Sequence, residues 1–333
     1  MFKAIAFIVT AMIPVICSFG QQSHSYEVKQ TFHISSPGGW DYIAVDGNKL
    51  YVSHGTQVNI LDKNTGDSIT YIPNTTGVHG IAFDHALNKG YTSNGRLNNV
   101  TVFDLNTGKE LHTIATGQNP DAIIYDSYSK TIITCNGRTS DLSIIDPVKE
   151  TVIHTIPVGG RPETAVSDDA GKLFVNIEDK SEIVQVNTKT FKVEKRWSIA
   201  PGEAPTGLAY DKSTKKLFAG CDNKLLMVID ATNGKVVSKV PIGDGCDGVA
   251  FDAGKKMIFT SNGDGTLTII SEKPGNQFKV VQNLATKKGA RTLVFDKSSQ
   301  SIFLPTADFE PVSDTSKARP KMVAGTFQVL VVQ

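Results

Sequence analysis

Seven side chains stand at one place in a pattern that runs the length of the chain. Asp41, His79, Asp121, Glu163, Thr206, Asp247 and Arg291 each lie five residues before an acid that closes a short apolar run. A second set, His54, Asn94, Asn136, Asn176, Asp222, Asn262 and Asp308, follows the next apolar run of each unit, with Arg96, Arg138 and Glu178 close by. If the two sets converge, carboxylates, imidazoles and guanidiniums surround one point. Such a collection can bind a small polar ligand through charge and hydrogen bonds. It can also supply acid/base groups, and His54, His79 and Asp41 together can hold a divalent ion.

Ordinary turn chemistry explains part of this. Asn and Asp are common at strand ends, where their side chains cap turns. Capping does not call for two histidines, a ring of acids and three arginines. The two sets (Thr206 and Asp308 aside), with Arg96, Arg138 and Glu178, are therefore the expected ligand-binding residues. The metal set rests on register alone, so no metal ligand and no cofactor are assigned. His24, His33, His85, His112 and His154 have no ligand spacing and read as surface residues. Trp40 reads as a stacking platform at the rim or as a core aromatic. The sequence contains no GxSxG and no HExxH. Gly243–Gly248 is Gly-rich but opens no helix, so it reads as a tight loop rather than a phosphate loop. Asn262-Gly263-Asp264-Gly265 lacks the distal Glu of an EF-hand and reads as a hairpin turn.

What must position these residues is a repeat. The closing acids are Asp46, Asp84, Asp126, Asp168, Asp211, Asp252 and Asp296, separated by 38, 42, 42, 43, 41 and 44 residues. The unit is clearest over Gly80–Ile114, which reads as four short strands. Four strands at a period of about 40 residues is the sign of a β-propeller blade. Seven acids imply an all-β, seven-bladed β-propeller with four-stranded blades. In a propeller the loops into first strands and out of second strands share one face around a central channel, which brings the two polar sets together. The last unit has strands at Thr292–Phe295, Ser301–Leu304 and Thr326–Val331 but no fourth. Tyr26–Ile34 precedes the first repeat without a partner. Pairing Tyr26–Ile34 with Thr326–Val331 closes the last blade with the N-terminal strand and removes two free edges. Ala307–Gly325 departs from the period and reads as a solvated insertion or a flap over the upper face.

Residues 1–20 carry Lys3, an apolar run over Ala4–Ile16 and small residues before Gln21. This is the pattern of a secretory signal peptide, with a cut expected after Gly20 and the propeller formed by residues 21–333. A lipoprotein signal at Cys17 is the competing reading, but Ile16 is bulky for that chemistry. The expected location is periplasmic or secreted. No second apolar stretch approaches the roughly 18 residues of a membrane helix, and a monomer is expected. Cleavage lowers Lys+Arg from 34 to 33 against Asp+Glu 33. A neutral chain lacks the basic excess that drives phosphate binding, so nucleic acid is not the expected partner. Cys135, Cys221 and Cys246 remain, either with a Cys221–Cys246 disulfide or as three buried thiols.

Tyr51-Val52-Ser53-His54, Tyr91-Thr92-Ser93-Asn94 and Ile258-Phe259-Thr260-Ser261-Asn262 resemble the signature of the YVTN-repeat, YncE-like β-propeller family. So do the tails Val102-Phe103-Asp104, Thr107-Gly108-Lys109 and Val152–Glu163. The resemblance covers nearly all of residues 21–333. It implies an exported seven-bladed propeller, from a family in which most members have no assigned chemistry and some bind single-stranded DNA. Phe174-Val175-Asn176, Phe218-Ala219-Gly220-Cys221 and Phe303-Leu304-Pro305 depart from the signature. The expectation is a non-enzymatic binding protein whose upper face takes a small polar ligand or a protein partner. The alternative is a metal-assisted, lactonase-like hydrolase or lyase with Asp41, Glu163 or His79 as acid/base groups.

Overall fold

The computed structural model describes Met1, residues 25–311 and residues 321–333. The signal-peptide reading of residues 1–20 and the middle of the 307–325 insertion lie outside the described residues. Among the described residues, twenty-eight strands form seven antiparallel sheets of four. The closing acids from Asp84 onward explain how their blades start. Asp84 accepts the backbone N–H of Ala86 at 3.0 Å, Asp126 that of Ser129 at 2.9 Å, and Asp168 that of Ala170 at 2.8 Å. Each acid thus caps the turn from first to second strand. On the turns from third to fourth strand, Gly66, Gly108 and Gly234 have φ of 78°, 72° and 78°, a region open to glycine without strain.

The first strands line the channel and touch in series around it. Trp40–Asp46, Val78–Asp84, Pro120–Asp126, Pro162–Ser167, Pro205–Asp211, Cys246–Asp252 and Val294–Asp296 each contact the next, and the last contacts the first. The ring is therefore closed. An aromatic on the second strand repeatedly packs on an aromatic of the next blade's first strand. Tyr51–Phe83, Phe174–Tyr210, Phe218–Phe251 and Phe259–Phe295 have ring centroids 4.9, 5.6, 5.2 and 5.5 Å apart. Such pairs contribute about 0.5–1.5 kcal/mol each beyond the area they bury. This is the structural work of the aromatic that heads the repeated signature.

The closing blade forms as expected, with slightly different limits. Val28–His33 pairs antiparallel with Gln328–Val332, in register from Gln30 opposite Val331 to His33 opposite Gln328, with a bulge between Val28 (opposite Val332) and Gln30. Backbone bonds from Glu27 N–H to Gln333 O (2.9 Å) and from Ile34 N–H to Phe327 O (2.9 Å) extend the pairing at both ends. A buried ion pair, Lys63 Nζ to Asp296 Oδ2 at 2.7 Å, then latches the first blade to the last.

Cys135, Cys221 and Cys246 are buried free thiols, so the disulfide reading gives way to the thiol reading. Cys221 packs with Ile199 and Met227 on one side of its blade, whereas Cys246 packs with Phe218 and Ile258 on the other. Burial pushes the Cys221 thiol up to about 12, leaving it protonated and inert. The described base of the 307–325 insertion is a short hairpin, Phe309 facing Met322, that rests on Trp40 with ring centroids 6.0 Å apart.

Candidate functional site: an acidic funnel over the channel

A β-bulge aims the funnel residue of six blades; Arg291, in the seventh, precedes its strand Val294–Asp296. The register between first and second strands slips between Trp40 and Ile43, Val78 and Ile81, Pro120 and Ile123, Pro162 and Ala165, Pro205 and Leu208, and Cys246 and Gly248. The residues inside those intervals include Asp41, His79, Asp121, Glu163, Thr206 and Asp247. A bulge leaves a residue out of the ladder and turns it; here it turns the side chains toward the axis. Hydroxyls from neighbouring strands then fix the bulged backbone. Ser93 Oγ donates to the Asp121 carbonyl and Ser261 Oγ to the Arg291 carbonyl. Thr292 Oγ1 donates to the Asp41 carbonyl at 2.6 Å, and Ser53 Oγ accepts the Asp41 N–H at 3.0 Å.

The side chains meet as a charged ring. His79 Nδ1 lies 2.5 Å from Asp41 Oδ2 and 3.8 Å from Asp121 Oδ1. Arg291 donates from Nε to Asp247 Oδ2 at 2.6 Å, and its Nη2 lies 3.7 Å from Asp41 Oδ1. Arg161 pairs with Glu178 beside them. Asp121 Oδ1 is enclosed and has no hydrogen-bond partner. A cleft of about 500 Å³ opens above, bordered by Gly38, Trp40, Asp41, His79, Arg96 and Arg291. Gly95 makes room for the imidazole, since a Cβ there would lie 2.6 Å from His79 Nε2.

Crowded acids resist ionisation. Burial, then the charges of Asp41 and Asp247, hold Asp121 well above the usual carboxylate range. Burial, then Asp121 and Asp247, do the same to Glu163. Asp247 is pushed up to about 6 by burial and Asp41, against the pull of Arg291. Below the ring, Tyr42 Oη and Thr164 Oγ1 hydrogen-bond at 3.2 Å from blades one and four, forming a floor. Burial and the acids above, Asp121 first, push the Tyr42 phenol well above its ordinary value.

Six of the residues expected from the sequence therefore converge: Asp41, His79, Asp121, Glu163, Asp247 and Arg291. Arg96 borders the cleft and Glu178 is engaged by Arg161. Arg138 and Asp222 are exposed in the turns that follow their second strands. The asparagines do not face the funnel. Asn94 donates to Asn99 and Thr101, Asn136 to Asp141 and Ser143, and Asn262 to Thr266 and Thr268, all within their own blades. Asn176 donates to the carbonyls of Thr206 and Gly207 in the next blade. These are buried structural bonds.

His54 is also withdrawn, and the His54–His79–Asp41 metal set that register alone allowed is not formed. His54 is fully buried and stacks on Phe327 with ring centroids 3.8 Å apart. Its Nε2 donates to the Gly38 carbonyl at 2.7 Å, so Nδ1 accepts from Ser36 Oγ at 2.6 Å. Both nitrogens are spent. Trp40 packs between Phe309 and Phe327, as the core reading required.

Tyr42, Thr164 and Arg161 belong to the site and were not singled out from the sequence. A signal existed for Tyr42. The position four before each closing acid holds Gly80, Ala122, Thr164, Gly207, Gly248 and Thr292 elsewhere, all small. The one large residue at that position reaches Thr164 across the channel.

Comparison with known proteins adds the fold. No family model matches the chain, and no curated protein matches it. Among solved structures, a chain titled Kuenenia stuttgartiensis hydrazine synthase superposes with a TM-score of 0.72 at 14% identity, over 94% of this chain and 98% of that one. The likeness is one of fold: a seven-bladed propeller. No helix among the described residues is long and apolar enough to cross a membrane.

Proposed function

We propose that this protein is an exported, YncE-like propeller that works by binding, and that its funnel takes a small, positively charged polar ligand. The observation that carries this is the imbalance of the ring. Asp41, Asp121, Glu163 and Asp247 converge there, with Arg291 as the one guanidinium bonded to them among the described residues. A cation entering from the cleft relieves the repulsion among the acids and lets them ionise. The hydroxyl floor at Tyr42 and Thr164 limits such a ligand to the upper funnel. Calorimetry with putrescine, a matched neutral diol and succinate tests the reading. Putrescine should bind, and an Asp247→Asn, Glu163→Gln double variant should weaken it at least about tenfold. Binding of succinate in preference to putrescine, or no binding of either, overturns it.

A second reading, metal-assisted hydrolysis or elimination, is favoured by one arrangement. Asp41, His79 and Asp121 each offer a donor atom, and all three atoms lie within 4.8 Å of one another. Catalysis of that kind requires first that an ion bind there. Export is tested separately by N-terminal sequencing of the mature protein, which should begin at Gln21.

A further inference from the structure

We infer that the positively charged ligand of the funnel includes a divalent transition-metal ion of the zinc class, held by Asp41 Oδ2, His79 Nδ1 and Asp121 Oδ1. The inference rests on reading the funnel as a cation site and names the ion. Three observations converge on it.

The first is spacing. Metal–ligand bonds of about 2.0–2.1 Å at tetrahedral angles place donor atoms about 3.3 Å apart. His79 Nδ1 is 2.5 Å from Asp41 Oδ2 and 3.8 Å from Asp121 Oδ1. An ion between them parts the first pair slightly and draws in the second, both within side-chain motion. The second is the orphan oxygen. Asp121 Oδ1 is enclosed and lacks any hydrogen-bond donor. A buried, unpaired carboxylate oxygen is costly, and an ion at that point satisfies it. The third is how the neighbouring groups divide the work. Arg291 approaches Asp41 through Oδ1, leaving Oδ2 for the ion. Thr292 and Ser93 hold the backbone carbonyls of the two aspartates, which fixes the peptide units that carry the two carboxylates.

The donor set selects the ion. One imidazole with two carboxylates suits zinc and its neighbours; calcium and magnesium prefer all-oxygen shells. Two carboxylates balance the ion's charge, Asp121 releasing its proton to solvent as the ion binds. The proton shared by His79 Nδ1 and Asp41 Oδ2 leaves when the ion takes its place, so Nδ1 binds through its lone pair. Three protein ligands leave a fourth position toward the cleft bordered by Trp40 and Arg96.

The test uses the full chain, stripped with a chelator and dialysed against zinc, cobalt or calcium chloride. One zinc per chain should bind, calcium should not compete, and cobalt should give visible d–d absorption. His79→Gln and Asp121→Asn should each weaken zinc at least about tenfold and abolish the cobalt spectrum. Asp222→Asn should bind as the parent does. Circular dichroism confirms that each variant is folded, and a misfolded His79→Gln is replaced by Asp121→Asn as the deciding variant. Zinc binding that survives both triad substitutions places the ion elsewhere and overturns the inference. A parent protein that binds putrescine but no zinc overturns the inference while the binding reading stands. A protein that binds neither overturns both.

Discussion

The hydroxyls of Tyr42 and Thr164 meet at 3.2 Å although blades one and four carry them on opposite sides of the channel. The bond joins first strands that are not neighbours in the ring, and the Tyr42 ring also packs against the apolar cluster that contains Ala122 and Ala165. A double-mutant cycle with Tyr42→Phe and Thr164→Val should show a coupling of about 1 kcal/mol in urea denaturation. Additive single effects would mean that the floor carries no mechanical tie.

The acid ring costs stability at neutral pH. Burial, then the neighbouring acids, raise Glu163 in the folded protein above its unfolded value. A raised carboxylate stabilises the fold where both states are protonated, and that contribution is lost as pH climbs through the folded value. Glu163→Gln should therefore stabilise the protein on the order of 1 kcal/mol at about pH 8 and make no difference at about pH 4. Denaturation at the two pH values checks both sign and window.

His54 has the opposite dependence. Burial pushes its imidazole down to about 4, with the Gly38 hydrogen bond opposing. The folded state keeps His54 neutral while the unfolded chain protonates it near 6.5. Stability from this residue is complete above that range and falls away as pH drops toward 4, by about 3 kcal/mol in all. His54→Gln should flatten the acid limb of the stability curve while lowering its plateau. An unchanged acid limb would show that the imidazole is solvated.

The Lys63–Asp296 pair tests closure of the ring by charge. Burial alone would raise the Asp296 carboxyl, but Lys63 and the hydroxyls of Ser299 and Ser298 hold it well below the usual range. Lys63→Met strands a buried carboxylate and should cost about 3 kcal/mol. Adding Asp296→Asn should recover part of that loss. The readout is the denaturation midpoint of the two variants against the parent.

The fold was legible because each blade repeats its own grammar. The Asp at the first turn, the aromatic of the second strand and the Asn-Thr-Gly turns each answer a local need, and such needs leave marks in sequence. The first-strand funnel positions were legible for the same reason: counting back from the acid finds the bulge. The second-strand exits were not. Polarity at Asn94, Asn136 and Asn262 says nothing of which way a side chain turns, and partners such as Thr101 and Thr268 lie in the next strand. His54 was lost to residues outside the repeat, because Ser36, Gly38 and Phe327 come from the segments that close the ring.

The pairing of Val28–His33 with Gln328–Val332 also sets a schedule for biosynthesis. Val28–His33 precedes the other strands of the ring and must wait for Gln328–Val332, so no nascent chain short of that point can seal the circle. During the wait both partners expose unsatisfied ladders, which are templates for intermolecular pairing.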